Sequence, residues 1–225
     1  MSIHDHTSHE HACPGYASPQ VAREQPPEQF VYVAALYEGT GIDRPDFIAV
    51  VDVDQSSPTY GEIVHRTEMP NTGDELHHFG WNACSSACHS QLQRDTLIVP
   101  GVRSSRIHIL DISEPQAPRI KDVIEGAEIK EKLGLSAPHT VHCMPGDIVT
   151  VSMLGDANGN LPGGLAVLDA RDFSIAGHWE REKNGQEFMY DFWYQPRQNT
   201  LVSSEWGAPN TFLDGFDPAD VAAGK

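Results

Sequence analysis

Fifteen consecutive residues, Asp74-Glu75-Leu76-His77-His78-Phe79-Gly80-Trp81-Asn82-Ala83-Cys84-Ser85-Ser86-Ala87-Cys88, hold two adjacent histidines and two cysteines. Imidazole and thiolate are the side chains that hold copper or zinc, so this stretch raises a metal site before anything else in the chain. A second cluster, His139-Thr140-Val141-His142-Cys143, follows, with 61 residues from His78 to His139. Four imidazoles (His77, His78, His139 and His142) converging on a polar channel would suit copper, zinc or iron, with geometry rather than affinity choosing among them. The alternative is that these histidines cap strands and hydrogen-bond to carbonyls in a wet interior. Cys84 and Cys88 have three residues between them, one more than a Cys-x-x-Cys motif, so neither a redox dithiol nor a zinc knuckle fits well. On a helical turn both sulfurs would share a face, and the adjoining His89 could lower a thiol pKa. Read blandly, both are small, partly buried hydrophobes.

The elements that would carry these residues follow a repeat. Three apolar runs end in aspartate: Phe47-Ile48-Ala49-Val50-Val51-Asp52, Arg106-Ile107-His108-Ile109-Leu110-Asp111 and Gly164-Leu165-Ala166-Val167-Leu168-Asp169, at spacings of 59 and 58 residues. Such a period marks a repeat architecture. After each aspartate comes a polar turn and another strand-like run, at 61–65, 120–124 and 174–179, which predicts a hairpin. Apolar strands also precede them at 30–34, 96–100 and 147–152, with a further copy at 200–204. A fourth element, at His77–Trp81, His139–Cys143 and Tyr190–Tyr194, completes the unit.

Four strands per repeat predict an all-β fold, a β-propeller. The ring is partial, roughly three blades of a larger, seven-bladed type, because the last repeat lacks its third and fourth strands. The first strand of each blade lines the central channel, so His78 and His139, at matching places in successive units, would meet at one mouth. The run Ala127–Leu133 predicts one or two helical turns closed by Gly134. The glycine-containing stretch Gly155–Gly164 predicts a connection between strands two and three of a blade rather than a phosphate loop.

Domain organisation follows: residues 1–15 as a disordered tail carrying His4, His6, His9, His11 and Cys13, and 16–225 as the N-terminal part of the propeller, its C-terminal half missing. A formal net charge of −17, from 15 Lys+Arg against 32 Asp+Glu, argues against nucleic acid and anionic lipid as partners. No run of eighteen apolar residues predicts an integral membrane segment. The N-terminus lacks a secretory pattern, which points to the cytoplasm, or to the periplasm if the true start lies elsewhere. The 4 cysteines are too few and too unevenly spaced for a disulfide framework, although a Cys84–Cys88 bridge is open.

Taken together, Val51-Asp52-Val53-Asp54, Asp74–Ser86, Ser104-Ser105-Arg106-Ile107, His139-Thr140 with His142-Cys143, Tyr190–Arg197 and Ser204-Glu205-Trp206 resemble the selenium-binding protein family, which includes the methanethiol oxidases. The resemblance runs from about Cys13 to the C-terminus and covers about the N-terminal half of a family member. It implies a propeller enzyme that uses copper and O2 to oxidise methanethiol, a small thiol substrate, to formaldehyde, hydrogen sulfide and hydrogen peroxide. It further implies His77, His78, His139 and His142 as copper ligands, Cys84 as a nearby thiol with a redox, ligating or incidental role, and Glu75 as acceptor of the substrate proton. The other reading is a selenium- or metal-binding carrier without turnover. Gly61 stands where some animal relatives carry a cysteine proposed to hold selenium, so selenium is not attached there. The family's common Cys-Ser-Ser-Cys is here Cys84-Ser85-Ser86-Ala87-Cys88, which departs from a two-residue dithiol.

Overall fold

The computed structural model describes residues 19–83, 92–181, 187, 189–195 and 198–224. The N-terminal histidine-rich tail and the Cys84–Cys88 segment lie outside them. After a short helix α1 (Pro19–Arg23), strands β1 (Phe30–Ala35), β2 (Phe47–Asp52) and β3 (Ile63–Glu68) form one sheet. A second holds β4 (Gly80–Trp81), β5 (Thr96–Pro100), β6 (Ile107–Asp111) and β7 (Arg119–Ile124). Helix α2 (Gly126–Leu133) leads to a third, of β8 (Leu135–Met144), β9 (Ile148–Asp156), β10 (Gly164–Asp169) and β11 (Ile175–His178). The fourth is the pair β12 (Phe192–Gln195) and β13 (Thr200–Ser203), followed by helix α3 (Pro218–Ala222). Every paired strand is antiparallel to its neighbour, and each sheet runs in chain order. The predicted all-β character and the strand repeat are therefore present, sheet by sheet.

The recurring aspartate has a local cause. Asp52 Oδ1 accepts from Asp54 N at 2.9 Å, Asp111 Oδ1 from Ser113 N at 2.8 Å and Asp169 Oδ1 from Arg171 N at 2.8 Å. Each closes a turn by capturing the N–H two residues on, the reason aspartate suits the end of a strand that must reverse. In α2, Ile129 and Leu133 fall on one face and are buried, and Gly134 ends the helix at φ 65°, where a side chain would be strained. The helix starts one residue before the predicted run, and the strand after it begins at Leu135.

Apolar cores lie between successive sheets. Ile48, Met69, Leu76, Leu97, Val99 and Leu110 fill the space between the first and second. Ile98, Ile109, Val141, Val151 and Leu168, with Ile129 and Leu133 from α2, fill that between the second and third. Leu165, Met189 and Phe192, backed by Leu201, join the third to the fourth. Side chains alternate across a strand, so β5, β6 and β9 are buried on both faces because the second and third sheets each have a neighbour on either side. No helix among the described residues is long and apolar enough to cross a membrane.

Candidate metal centre

His77 and His78 sit on the approach to β4, which is less regular than the sequence pattern predicts. Only Gly80 and Trp81 pair as a strand; upstream the chain touches β5 through an isolated Leu76–Gly101 bridge and a hydrogen bond from His77 N to Pro100 O at 2.9 Å. The cause lies in the residues before the histidines. Glu75 adopts φ 54°, a left-handed conformation that breaks a strand. Four side-chain contacts supplement the thinned ladder. The buried Asp74 meets Arg106 Nη1 at 2.9 Å and His108 Nε2 at 3.4 Å, and Glu75 accepts from Arg103 Nε at 3.1 Å. The Leu76 N–H donates to Asp46 Oδ2 at 3.2 Å.

His139 comes from β8 in the third sheet. An irregularity between Pro138 and Val141 inserts an extra residue opposite β9, and a bulge of this kind re-aims a side chain. The His139 ring is buried, and its Nδ1 lies 2.8 Å from Thr140 Oγ1. Thr140 is fixed in turn, its N–H donating to Ser152 Oγ at 2.9 Å while Ser152 Oγ donates to Tyr190 O at 2.7 Å. In the tautomer with Nδ1 protonated, that ring N–H donates to the threonine oxygen and the Nε2 lone pair is free, the arrangement that prepares a histidine for a metal.

The two sheets bring these rings together because β4 carries glycine where it crosses β8. A Cβ on Gly80 would lie 2.6 Å from Val141 O, closer than real contacts allow, so only glycine permits this approach. His139 then lies with its ring centroid 4.3 Å from that of His77 and 4.5 Å from that of His78, the latter two being 5.2 Å apart. One potential ligand atom from each of the three falls within 4.8 Å of the others. Ligand nitrogens about 2.0–2.1 Å from one ion are at most about 4 Å apart, so a small movement of exposed His78 would close the set. His77 Nδ1 and His139 Nε2 are buried without a hydrogen-bond partner in the structure, an expense that a bound cation removes. Burial, then the neighbouring His77 and His78, pushes the His139 pKa down to about 3; burial and His78 also lower that of His77. Neutral imidazoles present lone pairs, so the residues present fit a copper or zinc ion.

The remaining candidates stand apart from this trio. His142 packs edge-on against Phe192 and Trp193, with centroids 5.0 and 4.8 Å away, and is not in the converging group. Glu75 faces a separate recess shared with Tyr37, Asp43 and Asp46, its carboxylate held by Arg103. Cys84 lies outside the described residues. Sequence reasoning missed Tyr190, whose ring lies 4.3 Å from that of His139 and 4.9 Å from that of Trp206. Tyr190 opens the predicted element Tyr190–Tyr194, at the place that His77 and His139 hold in theirs, and that was the available signal. His77 and His78 also border an open recess of about 430 Å³ with Ala34, Leu36, Leu76 and Phe79, a mostly apolar wall.

A family model described as 56 kDa selenium binding protein (SBP56) matches residues 10–225. The chain is 50% identical over 213 residues to a methanethiol oxidase of Rattus norvegicus, covering 94% of this chain and 45% of that protein. It is 49% identical over 215 residues to selenium-binding protein 2 of Arabidopsis thaliana, covering 94% and 44%. Among solved structures, a hypothetical selenium-binding protein from Sulfolobus tokodaii matches with a TM-score of 0.87 and 51% identity, covering 91% of this chain and 46% of that one. The chain thus spans about half the length of the curated relatives it matches.

Proposed function

The chain belongs to the 56 kDa selenium-binding protein family, and from that premise we propose that it is the N-terminal portion of a copper-dependent methanethiol oxidase. The reaction is CH3SH + O2 + H2O → HCHO + H2S + H2O2. In this reading the four sheets are successive blades of a β-propeller whose other half lies in the rest of the full-length protein, and the substrate is a small thiol. The observation that carries it is the convergence of His77, His78 and His139 from two sheets, with two buried ring nitrogens lacking partners.

Those three histidines would hold the metal. Copper bound there would supply a soft centre for the thiolate sulfur and redox exchange with O2. The protein's own contributions are distinct. Thr140 keeps the His139 ring oriented with Nε2 free. Tyr190 packs at a tilt against that ring, and the apolar wall of Ala34, Leu36 and Phe79 offers the methyl group a surface away from water. Glu75 takes no part, since its carboxylate is engaged by Arg103 on another recess.

The test is copper per chain together with methanethiol-dependent peroxide formation, for the parent, His77→Ala, His139→Ala and His142→Ala, in this chain and in the full-length protein. We expect one copper per chain, lost in the first two variants and retained in the third, with peroxide formation following copper. Full activity in a metal-free protein would sink the reading. The A. thaliana relative, a selenium-binding protein by name, favours a second one, a selenium- or metal-binding carrier, which stands if copper binds without any turnover.

A further inference from the structure

The geometry points to Asp46 as the positioning residue that sets His77 and His78 against His139. Asp46 lies immediately before β2, in the first sheet, and is only 3% exposed. Its carboxylate accepts two backbone N–H groups from different parts of the chain, Tyr37 N on Oδ1 at 2.8 Å and Leu76 N on Oδ2 at 3.2 Å. Its carbonyl accepts a third, Met69 N at 2.8 Å, so the residue is itself anchored on both sides. Burying a carboxylate costs free energy unless its oxygens are hydrogen-bonded, and here that bonding falls on the residue directly before His77.

The segment is held only in part by its own sheet. Glu75 breaks the strand at φ 54°, and before Gly80 the segment keeps only the Leu76–Gly101 bridge and three backbone bonds, Arg103 N to Asp74 O, Val102 N to Glu75 O and His77 N to Pro100 O, none of which takes up the Leu76 N–H. The Asp46–Leu76 bond therefore fixes where the two histidines leave the second sheet, and it does so from the first. The trio is thus held by three sheets, although its ligands come from two. The consequence for copper rests on the function proposed above; the placement of the rings does not.

The test uses Asp46→Ala and Asp46→Asn in the 225-residue chain, with Ile48→Val, in the core of β2, as a control for lost stability. Proton NMR contacts between the His139 ring and those of His77 and His78 are read first, with amide exchange at Leu76. Copper titration followed by electron paramagnetic resonance is read second. In Asp46→Ala we expect the ring contacts and the Leu76 protection to be lost, and copper affinity to fall at least ~10-fold with an altered nitrogen signature. Asparagine keeps one acceptor oxygen and should fall between, which also covers failure of the alanine variant to fold. Retained ring contacts in both variants, or an equal loss in Ile48→Val, would overturn the assignment. Ring contacts that depend on Asp46 in a parent chain that takes up no copper would uphold the positioning role and defeat the metal reading instead.

Discussion

Thr140 and Asp74 show how single side chains set the chemistry and the stability of the region. Thr140 Oγ1 lies 2.8 Å from His139 Nδ1, while Nε2 is the ring nitrogen without a partner, so Thr140→Val should free the ring to turn. We expect a ~10–100-fold loss of copper affinity, read by competition with a chelator, with little change in the unfolding midpoint. Asp74 works on stability. Burial raises its pKa, but hydrogen bonds from His108, Ser104 and Arg106 and the charge of His108 outweigh it, leaving the carboxyl below its ordinary value. A pKa lower in the folded than in the unfolded chain contributes stability above the unfolded value of ~3.9 and loses it as pH falls through the folded one. Asp74→Ala should therefore cost about 1.5–3 kcal/mol near neutral pH by denaturant unfolding, because the charge-assisted bond to Arg106 is lost while Arg106 keeps Glu125, and the gap from the parent should narrow below about pH 4. The histidine pairs were legible from residue type and spacing alone. That His142 turns to Phe192 and Trp193 while His139 turns to His77 was not, because a one-residue bulge leaves no mark in a pattern of apolar alternation.

At the scale of elements, strands ending in Asp52, Asp111 and Asp169 were readable because one local bond, aspartate to the N–H two residues on, recurs at each turn. Helix α2 was readable from Ile129, Leu133 and Gly134. The short β4 was not, since what shortens it is a left-handed Glu75 and a bond to Asp46, some thirty residues earlier in the chain. Nor was the meaning of Gly80, whose absent side chain matters only because β8 passes beside it. Gly80→Ala should push β4 from β8. The expected result is a destabilisation of about 1–3 kcal/mol, as for overpacking, together with weaker copper binding. A variant with parent-like copper affinity would show that the two strands do not need this contact to present their histidines.

For the whole molecule, opposing features meet. The chain carries a net charge of −17, while Trp193 is 69% and Val202 67% exposed, as directly paired neighbours on β12 and β13. Like charge keeps copies apart, whereas an apolar face on a two-stranded sheet invites association. Added salt should therefore promote self-association, because it screens the first and strengthens the second. Sedimentation at low salt and at about 0.5 M salt measures this, and Val202→Lys should suppress the effect. The seam between the second and third sheets has a further consequence. His78 and His139 stand 61 residues apart in the chain, so an ion gripped by both would act as a removable cross-link, closing a loop as a disulfide does. By loop-closure entropy such a tie is worth up to about 4 kcal/mol, and a chelator would undo it where a reductant would not.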